Sequence, residues 1–113
     1  MQRKATLADE HEVGMPVCGR LALSRALDED GRRHGVWMVE DGRQTWHGAE
    51  LVRVGFLHDL CGLSWSEIAG AGNGSISRTR RLGGVHRRLI RTEPTYARRA
   101  AEVAREAISP ATP

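Results

Sequence analysis

A chain of 113 residues holds one domain with a modest core, and an aromatic content of 4% leaves Leu, Val, Ile and Ala to fill it. No stretch approaches the roughly 20 apolar residues of a membrane span, and the N-terminus lacks the apolar run of a signal peptide, so a soluble cytoplasmic protein is expected. The net charge of +3 is unevenly spread: residues 75–108 hold nine Arg against three Glu, a local +6, which leaves −3 for the rest.

Such concentration is what phosphate binding needs and what solubility alone does not. Lys4 is the sole lysine. Arginine suits forked contacts to phosphates and guanine edges, although a GC-rich genome would produce the same bias with no functional meaning. Cys18 and Cys61 form no CxxC pair and neither is spaced with a histidine as a zinc site requires, which points to a reducing compartment.

Residues 1–15 are polar and mixed in charge and read as a flexible tail. Residues 16–108 form a single domain. Residues 16–27 are ambiguous. Pro16 suits a first helical turn, and Val17, Cys18, Leu21, Ala22 and Leu27 form a helical stripe, whereas Leu21, Leu23 and Leu27 also fit a strand. Helix is the reading taken, ending before a turn at Asp28-Glu29-Asp30-Gly31.

Residues 36–47 predict a β-hairpin around Asp41-Gly42, with Val36, Met38 and Glu40 on one face and Trp37 and Val39 on the other. A lone hairpin is marginal, so Trp37 and Trp46 are expected to pack on the helices. The functional alternative is a partner-binding surface or a wing that touches DNA.

Residues 49–61 predict a scaffold helix, with Leu51 or Val52, Phe56, Leu57 and Leu60 facing inward and Gly62 ending it. Gly55 inside it costs up to about 1 kcal/mol relative to Ala, so close approach of another helix is its expected reason.

The densest signal lies at 64–91. Ser64 and Glu67 have capping-box spacing, and Leu63 and Ile68 stand where a hydrophobic staple would set the helix angle. A short helix from Trp65 must end within the run Gly70, Gly72, Asn73, Gly74. Ser75 then caps a second helix over 76–91, with Ile76, Thr79, Leu82, Val85 or His86, and Leu89 inside. Arg78, Arg80, Arg81, Arg87, Arg88 and Arg91 cover much of its remaining surface. A short helix, a turn and a basic helix are the layout of a DNA-reading helix-turn-helix. Gly83-Gly84 costs about 2 kcal/mol of helix propensity and marks where the second helix would kink.

Thr92 and Pro94 predict the start of a closing helix over 93–108, with Tyr96, Ala100, Val103 and Ala107 inside and Arg98, Arg99 and Arg105 outside. Residues 109–113 read as a tail. The fold class expected is mainly α: a helix-turn-helix bundle of four to five helices with one small β-hairpin in its N-terminal half.

With these residues in view, the segment 49–103 resembles the C-terminal DNA-binding domain of the bacterial replication initiator DnaA. Gly62-Leu63-Ser64-Trp65-Ser66-Glu67-Ile68-Ala69 is similar to that family's central motif. Val52, Phe56 and Leu60 match its leading helix, and Thr92-Glu93-Pro94 with Glu102-Val103 its last. The resemblance departs at the reading residues: Arg78-Thr79-Arg80-Arg81 stands where the family carries Asp-His-Thr-Thr, and Glu50 near where it carries a phosphate-contacting arginine. No Gly-x-x-x-x-Gly-Lys-[Ser/Thr] loop is present in these residues, so a relative of the domain alone, without the ATPase, is expected.

The resemblance implies a domain-only transcription regulator of bacterial, phage or gene-transfer-agent type. The expected DNA-binding residues are Ser75, Ser77, Arg78, Thr79, Arg80, Arg81, Arg87, Arg88 and Arg91. Double-stranded DNA is the expected partner, with RNA polymerase or another regulator beside it, and neither a membrane nor a small-molecule substrate. The alternative is an adaptor of the replication or transcription machinery that does not touch DNA. No catalytic, cofactor-binding or metal-ligating residues are expected. His11, His34, His47, His58 and His86 are scattered, and no nucleophile stands by a recognisable base.

Overall fold

The computed structural model describes residues 16–72 and 74–109; the two expected tails lie outside these bounds, apart from Ser109. Five helices and one hairpin follow in order: α1 (Arg20–His34), β1 (Met38–Asp41), β2 (Gln44–His47), α2 (Gly48–Asp59), α3 (Trp65–Ala71), α4 (Ile76–Thr92) and α5 (Pro94–Ile108). The mainly helical class with a hairpin in the N-terminal half is the observed one. No helix among the described residues is long and apolar enough to cross a membrane.

Helix is the outcome at the ambiguous first segment, but with different ends. Pro16 precedes the helix, where the Val17 and Cys18 N–H groups donate to the Leu60 carbonyl. The Asp28-Glu29-Asp30-Gly31 turn is not formed, because α1 runs through it. Leu23, Ala26 and Asp30 recur on one buried face, and the Trp37 indole N–H donates to Asp30 at 2.9 Å. Glu29 pairs with Arg32 and Arg33, which also sit favourably at the C-terminal end of the helix dipole. These side chains outweigh the local turn preference. Gly35, at φ 66°, supplies the left-handed residue that stops the helix instead.

In the hairpin, Met38 pairs with His47 and Asp41 with Gln44, so Gly42 and Arg43 form the turn, one residue later than expected. Gly42 takes φ 64°, which suits glycine at this position. Val39 and Asp41 lie on the half-buried side and Met38 and Glu40 on the exposed one. Trp37 is packed, its ring 5.9 Å from that of Tyr96, and the Arg99 guanidinium lies 5.2 Å from its centre.

Helix α2 is the centre of the core, with Leu51 and Val52 both inaccessible and Val54, Phe56 and Leu57 buried beside them. It ends at Asp59, two residues earlier than expected, and Leu60 is only half-buried. The reason for Gly55 is visible: a β-carbon there would lie 2.2 Å from the His86 ring on α4. The thiols of Cys18 and Cys61, far apart in sequence, meet at 3.9 Å, and burial with the neighbouring thiol pushes Cys61 up to about 12.

Helix α5 buries Tyr96, Ala100, Val103 and Ala107 as expected, while Ile108 is exposed. Its cap is not Thr92, which still belongs to α4 and donates its hydroxyl to the Arg88 carbonyl. Glu93 accepts from the Thr95 N–H instead. Helix α5 is held to α1 by His34–Glu102 and Arg33–Glu106 contacts.

Candidate nucleic-acid interface

The geometry of α3 and α4 begins with two side-chain caps. Ser64 accepts from the Glu67 N–H at 3.1 Å, and the Glu67 carboxylate accepts from the Ser64 N–H at 2.9 Å. These bonds hold the Glu67 carboxyl below the usual carboxylate range. At the second helix, Ser75 accepts from the Arg78 N–H at 3.0 Å. Each cap satisfies a backbone donor that the first helical turn cannot.

Trp65 joins the two helices. Its ring stacks on His58 of α2 at 3.8 Å and 11°, and the outer edge of its benzene ring lies against Gly83, where a β-carbon would come within 2.3 Å. Gly83 therefore does not break α4, which is continuous from Ile76 to Thr92. The helix propensity lost at this position is offset by ring-to-backbone packing that a larger residue would prevent.

Below that contact, His86 is fully buried against Phe56, and its Nδ1 lies 2.5 Å from the Tyr96 hydroxyl. Burial pushes the imidazole down to about 4. Asp59 opposes the shift and Arg87 adds to it. His86 is thus a neutral core residue at pH 7, and burial likewise raises the Tyr96 hydroxyl above its ordinary range.

With Thr79, Leu82, Gly83, Val85, His86 and Leu89 turned inward, Ser77, Arg81, Gly84, Arg88 and Arg91 follow one another along the exposed face at steps of three or four. Arg80 and Arg87 flank that line, and Arg78 is exposed to one side of it. Two expectations need correcting. Thr79, expected both on the inner face and in contact with DNA, keeps only the first role: it is 6% exposed, and its hydroxyl donates to the Ser75 carbonyl. Ile76, expected inside, is 43% exposed, because the first turn of α4 projects beyond the core.

The basic face has two halves. Arg87 pairs with Asp59 at 3.2 Å, and Arg88 pairs with Asp41 at the hairpin turn. These pairs are solvent-facing, a kind worth about 0–1 kcal/mol and screened by salt, so they compete weakly with a phosphate. Toward the N-terminus, Ser77, Arg78 and Arg81 line an open cleft of about 490 Å³ with Gln44 and Trp46 of β2. The Arg81 guanidinium donates to the Gln44 side chain and lies 5.4 Å from the Trp46 ring centre, which fixes its fork. On its other side, Arg78 shares an open cleft of about 530 Å³ with His47, Glu50 and Arg53.

Gln44 and Arg53 were not among the expected contacts, and Trp46 entered only through the alternative of a hairpin wing that touches DNA. Nothing in the local sequence announces that β2 lies beside α4. Arg53 does carry a signal, because it stands one turn after Glu50 on the helix where the resembled family has an arginine, and it pairs with that Glu50 at 3.2 Å. Comparison with family models, with curated proteins and with solved structures returns no match. The likeness to the initiator domain therefore rests on the motif residues themselves.

Proposed function

We propose that the chain binds double-stranded DNA with α3 and α4 as a helix-turn-helix, in the manner of a sequence-specific regulator of bacterial or phage transcription. The observation that carries this reading is the division of α4: Thr79, Leu82, Gly83, Val85, His86 and Leu89 are buried, and seven polar or basic residues, Ser77, Arg78, Arg80, Arg81, Arg87, Arg88 and Arg91, are exposed together with Ile76 and Ile90. Both capped helix starts and the Trp65 bridge support a rigid presentation of that face.

In this reading Arg78 and Arg81 meet base edges, where a forked contact to guanine O6 and N7 contributes about 1–3 kcal/mol of discrimination. Ser75, Ser77 and the first N–H groups of α4 approach a phosphate. Arg80, Arg91 and, after exchanging their carboxylates for phosphates, Arg87 and Arg88 follow the flanking backbone.

Selection from random duplexes followed by gel-shift titration tests the proposal. A preferred site should emerge, bound with a steep decrease in affinity against salt. Replacing Arg78 and Arg81 together by Ala should weaken binding at least tenfold and relax the preference while leaving the melting temperature unchanged. Intact affinity and preference in that variant would overturn the assignment.

A second reading draws on Val36 and Met38, which are 82% and 48% exposed at the hairpin. They suit an adaptor that docks a protein partner and leaves DNA alone. A salt slope near zero on DNA, together with a stable protein complex lost in Val36→Asp, would favour it.

A further inference from the structure

Away from the basic face, α1 and α5 bring three ligand-type side chains together. Asp30 and His34 stand one turn apart on α1, and Glu102 faces them from α5. One ligand atom from each lies within 4.8 Å of the other two. His34 Nε2 and Glu102 Oε1 are 3.1 Å apart. Bonds of 2.0–2.1 Å to a tetrahedral zinc separate neighbouring donors by about 3.3 Å, so this pair already spans one edge of such a site.

Asp30 supplies the independent sign of a missing ligand. It is 5% exposed, and although Oδ2 accepts from the Trp37 indole N–H, Oδ1 is buried with no hydrogen-bond partner among the described residues. A buried carboxylate oxygen without a partner is costly, and native proteins satisfy nearly all of them. A recess of about 10 Å³ lies beside Asp30 and Glu102, lined also by Ala26, Arg33, Val103 and Glu106 but not by His34.

We propose that Asp30, His34 and Glu102 form a zinc site that clamps α1 to α5, with water completing the coordination. One imidazole nitrogen and two carboxylates suit Zn²⁺, whereas Ca²⁺ and Mg²⁺ require more oxygen donors than this cluster offers. The Trp37 N–H orients the Asp30 carboxylate, the supporting role that carboxylate ligands in metal sites commonly receive. Arg33 lines the recess beside this cluster, and its charge is shared between Glu29 and Glu106. Arg99 and Arg105 act on Glu102 from the same helix and weaken, without cancelling, its attraction for a dication.

The test uses the full chain carrying Cys18→Ser, so that the paired thiols cannot supply a competing site, after removal of metal with a chelator. Titration with Co²⁺ should give saturable visible absorption at one equivalent, and Zn²⁺ should displace it and raise the melting temperature. His34→Gln and Glu102→Gln should each weaken Co²⁺ binding at least tenfold. Both replace half-exposed side chains, and circular dichroism checks that the variants remain folded. Absence of saturable binding, or equal affinity in these two variants, would overturn the proposal.

Discussion

Gly83 and Gly84 are neighbours on α4, yet a β-carbon on the first would lie 2.3 Å from the Trp65 ring, and one on the second would meet nothing within 4 Å. The two sides of the helix around them differ in the same way. The inner side is dry and exacting: Leu82, Val85, His86 and Leu89 are each 4% exposed or less. The outer side is wet, basic and lightly constrained, with solvent-facing ion pairs at Arg87 and Arg88. One helix therefore separates stability from proposed recognition by a rotation of half a turn. Substitutions on the inner side should change folding, and those on the outer side should change binding.

The largest effect expected from this contrast is a pH dependence arising at His86. Its folded pKa of about 4 lies below the ordinary 6.5. Between those values the unfolded chain binds a proton that the folded chain does not. This contribution to stability is therefore complete above about pH 6.5 and is lost as pH falls toward 4, by on the order of 3 kcal/mol. Urea melts from pH 4.5 to 7.5 should show the loss, and His86→Asn, which cannot titrate, should flatten the difference. Parallel pH profiles for the two chains would contradict the assignment.

Next in size is the close approach itself. Gly83→Ala must displace a Trp65 ring that is backed by His58, and Gly55→Ala must displace the buried His86 ring. Overpacking of this kind costs about 1–3 kcal/mol, only partly offset by the gain in helix propensity. Chemical denaturation should show both variants less stable than the parent. The smallest effect has the opposite sign. Gly84→Ala, in open space on the same helix, should raise stability by about 0.5–1 kcal/mol in the same measurement. If Gly83→Ala and Gly84→Ala shifted stability in the same direction, the contrast between the two faces would fail.

Much of this was readable before any coordinates. The Ser64/Glu67 capping box, the Ser75 cap and the stripe of Tyr96, Ala100, Val103 and Ala107 are all signals within one or two helical turns, where spacing sets geometry. The segment 28–31 misled because its turn composition is also local, while the Trp37 indole that holds Asp30 in a helix lies outside it. Thr92 misled for a related reason. Its hydroxyl found a carbonyl in the preceding turn, and Glu93 took the cap.

For the proposed interface, the sequence by itself determined which residues are basic, how the helices are capped and which side of α4 must face inward, because period and capping act between near neighbours. It did not determine that Gln44 and Trp46 stand against Arg81, that Asp41 and Asp59 reach Arg88 and Arg87, or that Gly83 makes room for a tryptophan. Those contacts join residues from 18 to 47 positions apart. Such pairs are chosen by how whole elements pack, and only the tertiary structure could decide them.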